Sequence, residues 1–404
     1  MRFEHTILQV VPELDAGGAE RTAVEIASAI VAAGGRALVA SRGGRMEGAL
    51  REAGGELIPI PAHAKNPATI WANARRLADV IRAEKCALIH ARSRAPGWSA
   101  LVAARRAKVP YVATYHGAYA AASPWKRFYN SSMARADLVI ANSNFTAEAI
   151  RRTYPQAAAR LVAIPRGADL ERFDPGRIGP DRRAAIERAW DVATDDVVVL
   201  APGRLTAWKG QATAIEGFSL VAASGENARL RLVLPGDHQG RSGYRARLED
   251  MVKELGIDQM VRIVGHCDDM PAALERAAVV LAPTSRPEAF GRVAVEAGAM
   301  GRPAIASALG GHLEPIADGA TGFLTPPDGA RARAAPREAL VADAPRDDAA
   351  SEEKREPRSR RGRGRRGRGE GRPETAANGS GAPHAVIELA GYHAIIEIAR
   401  PPRR

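Results

Sequence analysis

Residues Ser285–Pro303 read SRPEAFGRVAVEAGAMGRP. Two glutamates, Glu288 and Glu296, have seven residues between them. The first shares a short loop with Ala289, Phe290 and Gly291, and the second lies about two helical turns further on. A loop that ends where a helix begins leaves backbone N–H groups unpaired, which suits an anion or a polyhydroxylated ligand. Carboxylates beside it accept hydrogen bonds from hydroxyl groups. Gly301-Arg302-Pro303 then closes the helix as a turn. Taken singly, Glu296 also reads as a solvent-facing helix residue and Phe290 as core, so the stretch has to be weighed with what surrounds it.

Outward from this stretch, short apolar runs alternate with amphipathic helical segments. His5–Val11 reads as a strand, followed by a Gly17-Gly18 loop and a helix from Ala19 to about Ala33. Further strands are expected at Ala37–Ala40, Leu57–Ile60, Ala87–His90, Tyr111–Thr114, Leu138–Ala141 and Leu161–Ile164. RGADLERFDPGRIGPDRR at 166–183 is polar and proline-bearing and reads as a linker. A second series follows at Val197–Ala201, Leu230–Leu234, Val261–Val264, Val279–Ala282 and Ala304–Ala306. This alternation predicts an α/β protein with two doubly wound parallel sheets. The expected units are residues 1–175 and 176–330, with a cleft between them that the carboxyl ends of both sheets face.

The 404 residues carry a net charge of +12, and 17 Lys/Arg against 11 Asp/Glu in 331–404 account for half of it. The remaining moderate basicity suits phosphorylated ligands or an anionic membrane surface and is too small to argue for nucleic acid. Two distant cysteines, Cys86 and Cys267, make a disulfide framework or metal cluster unexpected. MRFEHTILQVV reads as a first strand and not a signal peptide, and no apolar run reaches membrane-spanning length. The expected place is therefore the cytoplasm, with the inner face of a membrane as one setting. Residues 331–404 are rich in Arg, Gly, Pro, Ala and Glu and are expected to be disordered, with a short apolar strand or helix at 385–399.

Three further clusters carry chemistry. PGRLTAWKGQ places Gly203-Arg204 and Lys209-Gly210 between a strand and a helix, where two cations neutralise a diphosphate. Gly17-Gly18 lets a backbone approach phosphate at a helix start, although a lone Gly-Gly is also an ordinary turn. It is not the dinucleotide fingerprint, so a nicotinamide cofactor is not indicated. His116-Gly117 follows the strand YVATY, and His90, Arg92 and Arg94 follow another strand end. The last three are candidates for an acceptor site, with a solvated loop equally open.

Together these motifs resemble those of the family 4 glycosyltransferases, retaining enzymes of the GT-B fold, over residues 5–330. The resemblance implies two Rossmann-like domains facing across a cleft, with a nucleotide-sugar donor in it. Arg204 and Lys209 would grip the donor diphosphate, with Gly203 and the Gly17-Gly18 loop beside it. Glu296 would hold the ribose, Glu288 the transferred sugar, and the backbone of Ala289, Phe290 and Gly291 sugar hydroxyls or phosphate. His116 would meet the donor sugar at the reaction centre. Asn142-Ser143 and Gly167-Ala168-Asp169 also match but read as structural.

No metal or other cofactor is expected. The implied acceptor is a glycan or glycolipid of lipopolysaccharide or exopolysaccharide synthesis. The competing readings are a nucleotide-sugar epimerase of the same fold and an RNA-associated protein acting through its Arg-Gly tail. The family pattern calls for further helices after residue 330, where this chain has eight arginines between Arg358 and Arg372. The tail is accordingly expected to arise from a shifted reading frame near codons 330–345.

Overall fold

The structure is a computed structural model describing residues 4–15, 17–117, 119, 123–223, 229–238, 240 and 242–327, with the backbone of 384–389 and 392–397. The first half contains strands β1 (Thr6–Val10), β2 (Arg36–Ser41), β3 (Glu56–Pro59), β4 (Cys86–Ala91), β5 (Tyr111–Tyr115), β6 (Leu138–Ala141) and β7 (Leu161–Ala163). They form one seven-stranded sheet in the order β3-β2-β1-β4-β5-β6-β7, with every pair parallel. The connecting helices are α1 (Gly18–Ala32), α2 (Glu47–Glu52), α3 (Pro67–Ala83), α4 (Arg94–Ala107), α5 (Pro124–Ala134) and α6 (Asn144–Thr153).

Side chains alternate between the two faces of a strand, and β2 shows what that does here. Leu38 and Ala40 pack with Leu77 and Ile81 of α3 and Ala100 and Ala103 of α4. Their neighbours Ala37 and Val39 pack with Ala23 and Ala27 of α1 and Leu50 of α2. A strand buried on both faces explains the unbroken apolar runs in the sequence.

The second half repeats the plan. Helix α7 (Pro180–Trp190) leads into β8 (Val197–Leu200), α8 (Gln211–Ala223), β9 (Leu230–Pro235), α9 (Ser242–Glu254), β10 (Val261–Val264) and α10 (Met270–Arg276). Then come β11 (Val279–Ala282), α11 (Arg292–Ala299), β12 (Ala304–Ser307) and β13 (Gly322–Thr325). The six strands lie in the order β10-β9-β8-β11-β12-β13, again with every pair parallel. Val198 and Leu200 face α7, α10 and α11, whereas Val199 and Ala201 face Phe218 of α8 and Leu248 of α9.

Every strand expected from the sequence is present within a residue or two. Two elements were not foreseen. Helix α7 begins inside the segment read as a linker, because only Ile186 and Trp190 of PDRRAAIERAW are buried. Strand β13 is a four-residue edge strand after a loop, too short to show periodicity. The expectations of disorder and of a shifted frame after residue 330 fall outside the described residues. The apolar end resolves the strand-or-helix alternative as a hairpin, β14 (His384–Leu389) paired antiparallel to β15 (Tyr392–Glu397).

The halves touch through specific bonds. Arg45 reaches Asp237 at 2.8 Å. Glu314 accepts from the backbone N–H groups of Asn144 at 2.9 Å and Phe145 at 2.8 Å, at the start of α6. Ser143 and Thr146 donate to the carbonyl of Ala289.

Candidate functional site

In both sheets the strand order reverses beside the first strand, between β1 and β4 and between β8 and β11. Such switch points leave a crevice at the carboxyl ends of the strands. A cavity of about 560 Å³ lies there, lined from both halves. Its walls include Gly17 and Gly18 after β1, His116 after β5, Gly203, Arg204 and Lys209 after β8, and Glu288, Ala289, Phe290, Gly291 and Glu296 after β11. Residues from four separate loops, all singled out from sequence, thus converge on one space.

The loops are held by local chemistry. Gly210 has φ +77°, and a Cβ there would lie 1.8 Å from the Pro283 carbonyl oxygen, so the loop carrying Lys209 closes only with glycine. Gly291 has φ +84°, and a Cβ would meet the ring of His312 at 2.3 Å. It allows the chain to turn from the Glu288 loop into α11. Gln211 is buried and donates to the Arg204 carbonyl at 2.9 Å, which fixes the Arg204 backbone.

Two of the cations lining the cavity are paired with carboxylates. Lys209 bonds to Glu288, and its ammonium lies 4.5 Å from the Trp208 ring centroid. Arg292 donates to Glu296 at 2.6 Å and also to Glu25 of α1, linking the two halves. Glu296 therefore keeps a second carboxylate oxygen for a ligand. Glu20, in the first turn of α1, also lines the cavity. Burial holds its carboxyl above the usual range, while Arg204 and Arg166 pull it back down.

His116 and Arg166 form the wall nearest α1. Arg166 donates to His116 Nδ1 and, at 3.0 Å, to the carbonyl of Gly18. Burial, then the charge of Arg292, lowers the Arg166 guanidinium to about 10. Burial, then Arg166, holds the His116 imidazole well below its ordinary value. His312 also lines the cavity, with Nδ1 3.1 Å from the Ser307 carbonyl.

Glu20, Arg166, Arg292 and His312 were missed from sequence. Arg292 lies inside the quoted stretch, yet its bond to Glu25 spans 267 residues and has no local signal. The Arg166 signal was the cation directly after β7, obscured because the segment was read as a linker.

His90, Arg92 and Arg94 lie outside this cavity, so the acceptor site considered for them is not part of it. His90 and Arg92 are 8% and 2% exposed. Arg92 donates to Gln9 of β1 at 2.6 Å, and His90 Nε2 bonds to Thr114 of β5 at 2.7 Å. Strand β4 runs to Ala91, so these side chains belong to a buried polar row across three neighbouring strands. Arg94 caps the ring of Tyr119 at 4.3 Å and donates to Asn130 at 3.3 Å. Among the described residues no group of three or more His, Cys, Asp or Glu side chains is placed to hold a metal ion.

The model for Glycosyltransferase Family 4 matches residues 16–172, and that for Glycosyl transferases group 1 matches 182–357. The second match runs past residue 345, so the resemblance does not stop at residue 330 as the sequence reading had it. A glycosyltransferase from Rickettsia africae is 30% identical at a TM-score of 0.72, over 82% of this chain and 86% of that one. HepE of Anabaena, solved with UDP and glucose, is 26% identical at a TM-score of 0.67, over 80% and 86%. D-inositol 3-phosphate glycosyltransferase of Corynebacterium aurimucosum is 30% identical over 212 residues, 52% of this chain and 50% of that protein. The chain thus spans about half the length of the curated relatives it matches. Two parallel doubly wound sheets, a cleft lined from both, and these likenesses lead to one conclusion: the chain belongs to the glycosyltransferases of the GT-B fold, with a Glycosyltransferase Family 4 half and a group 1 half.

Proposed function

We propose that the chain moves a sugar from a nucleotide-sugar donor to an acceptor hydroxyl with retention at the anomeric carbon. The observation that carries this reading is the meeting of Arg204, Lys209, Glu288, Glu296 and the Gly17-Gly18 loop in one cavity. Arg204 and Lys209 take the diphosphate and stabilise its charge as it leaves. Glu296 takes the ribose, and Glu288 with the Ala289–Gly291 backbone takes the transferred sugar. The departing phosphate oxygen accepts the acceptor proton, and no metal or other cofactor is assigned a part. HepE binds UDP and glucose, which makes UDP-sugars the first donors to test.

In the same reading, residues 1–175 present the acceptor and 176–330 the donor. The acceptor is a glycan or glycolipid of lipopolysaccharide or exopolysaccharide synthesis, met at the cytoplasmic face of an anionic membrane. Support for the membrane comes from α3, α4 and α5, which carry eight Lys/Arg and one Asp. Trp71, Trp125 and Phe128 on these helices are 49%, 75% and 49% exposed. Arg75 and Arg106 lie over Trp71, and Arg135 lies near Phe128, an arrangement suited to an interface with anionic headgroups. No helix among the described residues is long and apolar enough to cross a membrane.

A thermal-shift screen of nucleotides and UDP-sugars, followed by UDP release with acceptor fractions, tests the transfer. A nucleotide-sugar that raises the melting temperature and then yields UDP and a glycosylated product is the expected result. Binding without any product would sink it. Flotation with anionic and neutral vesicles tests the membrane face. Preferential anionic binding, weakened by Lys126→Glu with Arg127→Glu, is expected, and equal negligible binding to both removes that face.

A further inference from the structure

His116 follows β5 and Arg166 comes after β7, and the two side chains meet at the cavity wall. A guanidinium has donors and no acceptor. The nitrogen that receives its bond, Nδ1, is therefore bare, and the single proton of the neutral ring sits on Nε2. That second nitrogen is buried and has no hydrogen-bond partner among the described residues, while His116 lines the cavity. A buried N–H without a partner is costly unless a ligand satisfies it. Arg166 is itself anchored, since its other nitrogen donates to the Gly18 carbonyl at 3.0 Å.

We propose that Arg166 is a positioning residue that fixes His116 as its Nε2–H tautomer, so that His116 acts on a sugar hydroxyl as a hydrogen-bond donor and not as a base. The proposal rests on the reading of the cavity as a glycosyl-transfer site. The titratable and charged groups facing His116 include Arg166, Arg92 and His90. Those facing Arg166 include Arg292, Glu25, Tyr119 and Glu20. The cations among them oppose a proton on the imidazole, as burial does, so the ring stays neutral where a solvent-exposed histidine would titrate. A neutral donor keeps one hydrogen-bonding sense throughout the working range. It selects for an oxygen with a lone pair to offer, and it leaves the acceptor proton to another group.

The test uses the full chain labelled with 15N-histidine, with Arg166→Met and Arg166→Lys beside wild type. Long-range proton–nitrogen spectra distinguish the bare ring nitrogen from the protonated one. For wild-type His116, a protonated Nε2 and bare Nδ1 are expected, unchanged from about pH 8 to pH 6. Arg166→Lys, which retains a donor, keeps that tautomer. Arg166→Met yields mixed tautomers and a ring that titrates closer to neutrality. With UDP-glucose as the probe, Arg166→Met lowers the rate of UDP release by roughly 10- to 100-fold near neutral pH, and acid recovers part of the loss because a protonated ring also carries Nε2–H. Arg166→Lys restores most of the rate.

A proton on Nδ1 in the wild type overturns the proposal. So does an Arg166→Met protein that keeps the wild-type tautomer and pH profile and loses only thermal stability. If wild type shows the expected tautomer but never turns over a nucleotide-sugar, the tautomer lock stands and the transfer reading falls.

Discussion

At the scale of single residues, Arg204 and Glu296 would hold opposite ends of a nucleoside diphosphate. Arg204→Ala and Glu296→Ala should each cost about 1.5–3 kcal/mol of nucleotide affinity, the worth of a hydrogen bond to a charged group. Circular dichroism should match wild type, and calorimetry with UDP measures the loss. Wild-type affinity in both would remove the donor-site assignment. Glu20 offers a second test. Its folded pKa is raised from the usual 4.5, so the folded protein prefers it protonated. The stability it contributes is present below that value and lost as pH rises through the folded pKa. Glu20→Gln should therefore melt higher than wild type near neutral pH, with the gap closing on acidification below 4.5. A gap that widens in acid contradicts the desolvation account. Residues at this scale were unevenly legible. Glu288, Arg204 and Lys209 stood beside glycines and prolines that mark loops. Glu20 looked like any first-turn acid of a helix, and its place in the wall of a cavity shared with the second half has no local signal. His90 and Arg92 looked like loop residues because polar side chains rarely end a strand buried on both faces.

At the scale of elements, α6 joins the halves. Its first turn has Ser143 accepting from the Thr146 N–H at 2.9 Å and Glu314 accepting from Asn144 and Phe145. An acid from the opposite half thus completes the cap and meets the positive end of the helix dipole. Glu314→Ala should lower stability by about 1 kcal/mol and raise the KM for the donor, as the cleft closes less completely. Chemical denaturation and donor kinetics check the two effects. An unchanged KM would confine Glu314 to capping. The central strands were readable because both of their faces are buried, leaving runs such as VVVL and TILQV. Helix α7 was not, because nine of its eleven residues stay out of the core. The pairing of Glu314 with α6 crosses 170 residues and leaves no trace in either local sequence.

At the scale of the whole molecule, the two halves share one site, so a donor that spans them ties them together. A nucleotide-sugar at 100 times its Kd should stabilise the native protein by about 2.7 kcal/mol, seen as one cooperative transition shifted upward. Two separate transitions, only one of them shifted, would show that the ligand engages a single half. The overall plan of two doubly wound halves was legible from the alternation of apolar runs. The contacts between the halves were not, since they are polar contacts joining segments distant in sequence. The pairing of Lys209 with Glu288 has one more consequence. If Lys209 takes the diphosphate as proposed, the ligand would meet a cation already engaged by a rival on the same chain, present at a high effective concentration. Binding is then an exchange of partners. Glu288→Gln weakens the rival, so UDP alone should bind more tightly while sugar transfer slows. In the proposed reaction the site would thus hold back some affinity for the spent nucleotide and ease its departure after each turnover.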